Sequence, residues 1–187
     1  CIMKINLKNF YILLICLMFI GITPSQAKYE KIFYDYKITS INGDEINLNI
    51  YKNKAIILVN VASYCGFTNQ YESLQEIWNN YKDKGLIVLG VPSNSFRQEK
   101  KSNEEIKEFC EVNFKISFPM TSIFDVKGQN AHDIYKWAYK NHGKSAIPKW
   151  NFHKILINKK GKVEDTFNSF TKPNSKRIIN KLENILK

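Results

Sequence analysis

Apolar and polar positions divide the chain beyond residue 30 into short, well-separated blocks. Ile46, Leu48 and Ile50 alternate with Asn47 and Asn49, and Asn42-Gly43 lies just upstream. A period of two behind an Asn-Gly turn predicts a hairpin with arms at 36–41 and 45–50. Residues 55–61 and 86–91 are almost wholly apolar, the pattern of strands buried on both faces. Leu74, Ile77, Trp78 and Tyr81 recur at helical spacing over 71–81, and Gly85 closes that helix. A second stripe, Ile106, Phe109, Cys110 and Phe114, follows the helix-opening Asn103-Glu104-Glu105. After Phe118-Pro119, Ile134, Trp137 and Ala138 predict a helix over 131–139. Residues 152–158 and 162–167 flank Lys160-Gly161 as a second hairpin. Ile178, Ile179, Leu182, Ile185 and Leu186 make a last amphipathic helix over 173–186.

The order is hairpin, βαβα, helix, ββα, uninterrupted by a repeat or a Pro/Gly-rich linker. It predicts one α/β domain with a thioredoxin-like fold: a central mixed β-sheet flanked by helices on both faces, preceded by an N-terminal β-hairpin. At 187 residues and 44% apolar composition the chain is long enough for one sizeable core.

Residues 1–27 carry a different pattern. Read from Met3, Lys4 and Lys8 precede an apolar run at 10–22, and Ser25-Gln26-Ala27 offers the small residues of a cleavage site. A membrane span needs about 20 apolar residues, so this run is expected to be a cleavable signal peptide that exports a mature domain starting at 28. An uncleaved membrane anchor is the alternative.

The net charge of +11 becomes +9 without that leader, nearly all from scattered lysines; Arg97 and Arg177 are the arginines. Nucleic-acid binding is not expected without clustered arginines and interleaved aromatics. The lysines read as solvated surface with, at most, weak attraction to an anionic membrane surface. His132, His142 and His153 lack metal-ligand spacing, so neither metal nor cofactor is expected.

Outside the leader the cysteines are Cys65 and Cys110. Their number fits a structural bridge or a working redox couple equally well. Cys65 falls between the strand at 55–61 and the helix at 71–81. The unpaired N–H groups and positive dipole at a helix start favour thiolate over thiol, so this position predicts a reactive cysteine.

Residues 60–68, Asn-Val-Ala-Ser-Tyr-Cys-Gly-Phe-Thr, resemble the cysteine signature of the glutathione peroxidase family. Two further blocks agree in order and spacing: residues 91–99 (VPSNSFRQE) and 149–154 (KWNFHK). The likeness runs from about residue 31 to the end and looks most like bacterial cysteine-type members. It implies a thiol peroxidase that reduces hydrogen peroxide and organic or lipid hydroperoxides through a cysteine sulfenic acid. It also implies a catalytic set of Cys65, Gln98, Trp150 and Asn151. Many relatives have one more residue before the glutamine, which bears on where the Gln98 amide points.

By the same resemblance Cys110 is a candidate resolving cysteine, displaced one position from that of plant-type members. The reducing co-substrate is then glutathione or a thioredoxin-like protein, and the scarcity of arginine to grip glutathione carboxylates leans toward the protein. The direct join across 141–149 lacks the insertion that builds some relatives' tetramers, so a monomer is expected. A general thiol-disulfide oxidoreductase, disfavoured by the missing C-x-x-C, and a non-catalytic redox sensor or relay are the competing functions.

Overall fold

A computed structural model describes residues 29–187, and the expected leader lies outside the described residues. A two-stranded hairpin, β1 (Lys37–Thr39) and β2 (Glu45–Asn47), is followed by the central strand β3 (Ala55–Val61) and helix α1 (Gln70–Tyr81). Strand β4 (Leu86–Pro92), helix α2 (Asn103–Phe114) and helix α3 (Asp133–His142) come next, then β5 (Lys154–Ile157), β6 (Val163–Phe167) and helix α4 (Lys176–Leu186).

The main sheet has the order β4-β3-β5-β6. β3 runs parallel to β4, with Ile57 opposite Val88, and antiparallel to β5, with Ile57 opposite Leu156. All seven residues of β3 and of β4 are buried, which is why their sequences are apolar without alternation. Ala55, Ile57, Val59 and Val61 face one core with Leu74 and Ile77 of α1, Ile106 and Cys110 of α2, and Ile178 and Leu182 of α4. Ile56 and Leu58 face the other, with Ile134, Trp137 and Ala138 of α3 and the N-terminal Phe33 and Tyr34. Each such fully buried aliphatic side chain contributes about 1.5–3 kcal/mol, so two cores of this kind hold β3 at the centre of the molecule.

The sheet's β4 edge is partly covered by the 118–121 segment, where Gly90 N–H donates to the Pro119 carbonyl at 3.0 Å and Thr121 N–H to the Gly90 carbonyl at 2.9 Å. A Cβ on Gly90 would lie 3.1 Å from Phe118, so the missing side chain admits this approach.

The thioredoxin-like, mixed-sheet prediction holds, with local departures: the first hairpin arm is shorter, Lys37–Thr39, and helix α3 is shifted to Asp133–His142. The arm expected at 45–50 ends at Asn47, whose side chain accepts the Asn49 N–H at 3.1 Å and starts a 3-10 turn, Leu48–Tyr51. Such a side chain offers the backbone an alternative to the ladder. The strand expected from 152 begins at Lys154, because Phe152 adopts φ 60°. Helix α4 begins at Lys176 rather than 173.

Helix α2 is fastened at both ends. Ser102 and Glu105 form a reciprocal capping box, and Lys115, left-handed at φ 51°, ends the helix with its N–H on the Cys110 and Glu111 carbonyls.

Candidate active site

β3 delivers the chain to Cys65 through a turn that Thr68 organises. The Thr68 hydroxyl accepts the Cys65 N–H at 3.2 Å and sits against the carbonyls of Ala62 (3.1 Å) and Cys65 (2.6 Å), with one proton to share between them. Cys65 is buried, and its Sγ accepts the Phe67 N–H at 3.5 Å. Helix α1 opens only at Gln70, so Cys65 lies five residues before it rather than in its first turn. The dipole effect expected from the sequence fades beyond the first turn. The donor at the sulfur belongs to the Cys65 turn instead.

Gln98 reaches this turn through the backbone: its carbonyl accepts the Tyr64 N–H at 2.9 Å. The short 94–98 loop is closed by Arg97 N–H on the Asn94 carbonyl at 2.9 Å, with Arg97 at φ 58°. Gln98, next in the chain, faces Asn151, whose Nδ2 donates to Gln98 Oε1 at 2.9 Å. With its oxygen engaged, the Gln98 amide keeps its NH2 as the available donor.

Asn60 of β3 fixes the 150–153 segment. Its Nδ2 donates to the Trp150 carbonyl (3.2 Å), its Oδ1 accepts the His153 N–H (3.2 Å), and its carbonyl accepts the Phe152 N–H (2.6 Å). Asn151 is fully buried and its Oδ1 has no partner among the described residues. Trp150 is 43% exposed and packs on Phe96 at 5.3 Å between ring centroids. The Cys65 turn, Gln98 and the Trp150-Asn151 pair are thus brought together by hydrogen bonds.

Cys110 is buried in the core that also holds Cys65, and both thiols are unpaired. Burial pushes the Cys110 thiol up to about 12, with the Tyr71 hydroxyl beside it opposing the shift. The same burial raises Tyr71 well above a tyrosine's usual value. Cys110 also borders a surface groove of about 410 Å³ lined by Ile46, Lys107, Glu111 and Met120 among others.

Several site-bordering residues carried no role in the sequence. Asn60 appeared there only as a letter of the cysteine block. Glu99 is buried, its Oε1 accepting the N–H groups of Ser63 and Lys100 at 2.9 Å each while Oε2 has no partner. Burial raises its carboxyl above the usual range, against the Ser63 hydrogen bond. An acid among the mostly polar residues 93–103 gives no sign in the sequence that it is buried. Around the site stand exposed aromatics, Tyr64, Trp150 and Phe170, with Phe67 edge-on to Phe170 at 5.2 Å. Lys100 donates to the Tyr64 hydroxyl at 3.0 Å, and Lys127 lies 4.1 Å over the Phe96 ring.

Two buried bases follow the pair. Burial, aided by Lys154, depresses His153 to about 4, and burial alone depresses Lys154 to about 7. The unfolded chain therefore binds more protons than the folded one from pH 4 to 6.5 through His153 and from pH 7 to 10.5 through Lys154. The contribution of each group to stability rises with pH across its window, and that of Lys154 is opposed above about pH 9 by the raised Cys110 thiol. The raised Glu99 carboxyl opposes the His153 contribution just above its unfolded value of 4.5. His153 accounts for up to about 3 kcal/mol of stability, lost as pH falls from 6.5 to 4. Thermal unfolding of His153→Leu is expected to fall less steeply with acid than wild type over that window; parallel curves would refute the assignment.

A buried cysteine in a turn after the central strand, tied through the Gln98 carbonyl to the Gln98–Asn151 amide pair, on a thioredoxin-like fold is the arrangement of a thiol-based peroxidase. A glutathione peroxidase family profile matches residues 33–139. "Glutathione peroxidase-like peroxiredoxin 2" of Saccharomyces cerevisiae is 42% identical over 148 residues, 76% of this chain and 91% of that protein. A "Glutathione peroxidase" of Lactococcus lactis subsp. cremoris is 41% identical over 145 residues, covering 75% and 92%. The crystal structure "Trgpx in apo form" superposes with a TM-score of 0.67 at 32% identity, covering 83% of this chain and 96% of that one. The chain belongs to the glutathione peroxidase family.

Proposed function

We propose that Cys65 is the peroxide-reducing residue and that Gln98, Trp150 and Asn151 supply the donors of its site. The Cys65 thiolate attacks one peroxide oxygen, the O–O bond breaks, and the other oxygen leaves as water or alcohol after taking a proton; the sulfur becomes a sulfenic acid. Amide and indole N–H groups stabilise the developing negative charge without adding a competing charge. The observation that carries this reading is the Asn151 to Gln98 hydrogen bond, joined through the Gln98 carbonyl to the residue next to Cys65.

The sulfenic acid is returned to thiol by condensation with Cys110, releasing water, and a thioredoxin-like protein then reduces the disulfide; two molecules of glutathione are the other route. A buried Cys110 thiol with a pKa near 12 holds almost no thiolate in the closed molecule, so this step requires local opening of α2. The exposed aromatics beside Cys65, flanked by Lys100 and Lys127, suit organic and lipid hydroperoxides and weak contact with an anionic membrane surface. The proposal includes a monomeric, exported protein. In an oxidising compartment it needs a dedicated supply of electrons.

The test is the second-order rate of Cys65 oxidation by hydrogen peroxide in stopped flow. Asn151→Ala is expected to slow it by about 100-fold, the scale of losing one preorganised donor. A rate within twofold of wild type would remove Asn151, and with it the Gln98 arrangement, from the mechanism.

A further inference from the structure

Lys154 occupies a sheet position where an aliphatic residue would serve the fold. It lies in β5 between Val59 and Phe167, is 1% exposed, and has no carboxylate partner among the described residues. Burying a lysine without a counter-ion is costly, and its amine is compensated here by oxygens alone. Nζ donates to Gln70 Oε1 at 2.5 Å and to the Thr171 carbonyl at 2.7 Å, with the Asn168 carbonyl at 3.5 Å. Gln70 is the first residue of α1, five positions after Cys65. The 168–171 turn leads toward α4.

From these two anchors a buried chain of hydrogen bonds runs to the site. Gln70 Nε2 donates to the Ser169 carbonyl at 2.6 Å, and Ser169 Oγ donates to the Asn151 carbonyl at 2.6 Å. Asn151 then donates to Gln98, and Tyr64 to the Gln98 carbonyl. Gln70, Ser169 and Asn151 are all buried, so water does not compete for these bonds. The segment they hold cannot hold itself, because Phe152, next to Asn151, is in a left-handed conformation that surrounding contacts must impose.

We infer that Lys154 is a positioning residue that, through Gln70 and Ser169, fixes Asn151 and the Gln98 amide against the Cys65 turn. It touches no reacting atom. It ties the start of α1 and the 168–171 turn to one point in β5, so that the two sides of the site cannot separate. The effect on Cys65 rests on the peroxidase reading above; the effect on the 151–153 segment does not.

Two readouts on the full chain test this: hydrogen–deuterium exchange of the 151–153 amides, and stopped-flow oxidation of Cys65 by hydrogen peroxide. Lys154→Met and Ser169→Ala are each expected to speed exchange at 151–153 and slow oxidation by about tenfold or more, since a displacement of about 1 Å is enough for such losses. Ser169→Thr, which keeps the hydroxyl, should restore both. Ile178→Ala, a core change in α4, should lower the melting temperature and move neither. Unchanged exchange at 151–153, or faster exchange with oxidation within twofold of wild type, would overturn the inference. Should Lys154→Met fail to fold, Ser169→Ala against Ser169→Thr decides by the same criteria. If wild type itself reacts no faster with peroxide than Cys65→Ser, the peroxidase reading fails, and exchange alone still decides the positioning role.

Discussion

Cys65→Ser is expected to reduce peroxide consumption to the uncatalysed background, a loss on the order of 10⁴-fold or more, as for removal of a nucleophile from other covalent catalysts. Serine keeps the size and the turn, so the Thr68 and Phe67 contacts survive and the protein should melt close to wild type. What disappears is the polarisable sulfur that can accept an oxygen and later give it up. Peroxide consumption in the presence of either reductant measures this. Full activity in the serine variant would place the chemistry elsewhere in the chain.

Cys110→Ser separates the two halves of the cycle. A single stoichiometric oxidation of Cys65 should keep its wild-type rate, because Cys110 lies in α2 and takes no part in peroxide attack. Steady turnover with a thioredoxin-like reductant should fall by about 100-fold or more, since no intramolecular disulfide is left for it to reduce. Turnover with glutathione should be spared. Wild-type turnover with the protein reductant would show that Cys110 is a core residue and nothing more, a role its complete burial also suits.

Much of the architecture was legible in the order of residues because the information is local. The two strands buried on both faces, β3 and β4, show as apolar runs, and their ends match within a residue. Helix α1 shows through its stripe. What failed was decided by single side chains or backbone torsions. Leu48 and Ile50 keep the alternation of a strand, yet Asn47 folds the backbone into a turn, leaving Leu48 buried and Ile50 65% exposed. Phe152 has strand composition and left-handed torsion.

The site divides along the same line. Cys65, Gln98, Trp150 and Asn151 were found because three blocks resemble one family. The structure joins Gln98 to Asn151 and to the Cys65 turn through bonds spanning 53 and 34 positions of chain. In the shorter 94–98 loop Arg97 is left-handed and the Gln98 side chain meets Asn151, an arrangement set by backbone torsion rather than by residue type. Asn60, Glu99, Lys154, Gln70 and Ser169 carried no role because each acts through partners far off in sequence. A lysine in a lysine-rich chain gives no sign that it is buried. Its partners Gln70 and Thr171 lie 84 and 17 residues away and form the network only once the sheet has closed.

The fastening of α2 at both ends bears on how the protein meets a surge of oxidant. The carbonyl of Cys110 is itself a partner of the C-terminal fastening, receiving the N–H groups of Lys115 and Ile116, so exposing this thiol means undoing that end of the helix. If Cys110 is the resolving cysteine, the opening of α2 sets a clock for the Cys65 sulfenic acid that does not depend on peroxide concentration. Further oxidation of the same sulfur to sulfinic acid does depend on it. On that reading the ratio of these two rates defines a dose of peroxide above which the molecule retires itself, and loosening the Lys115 end of α2 would raise that dose.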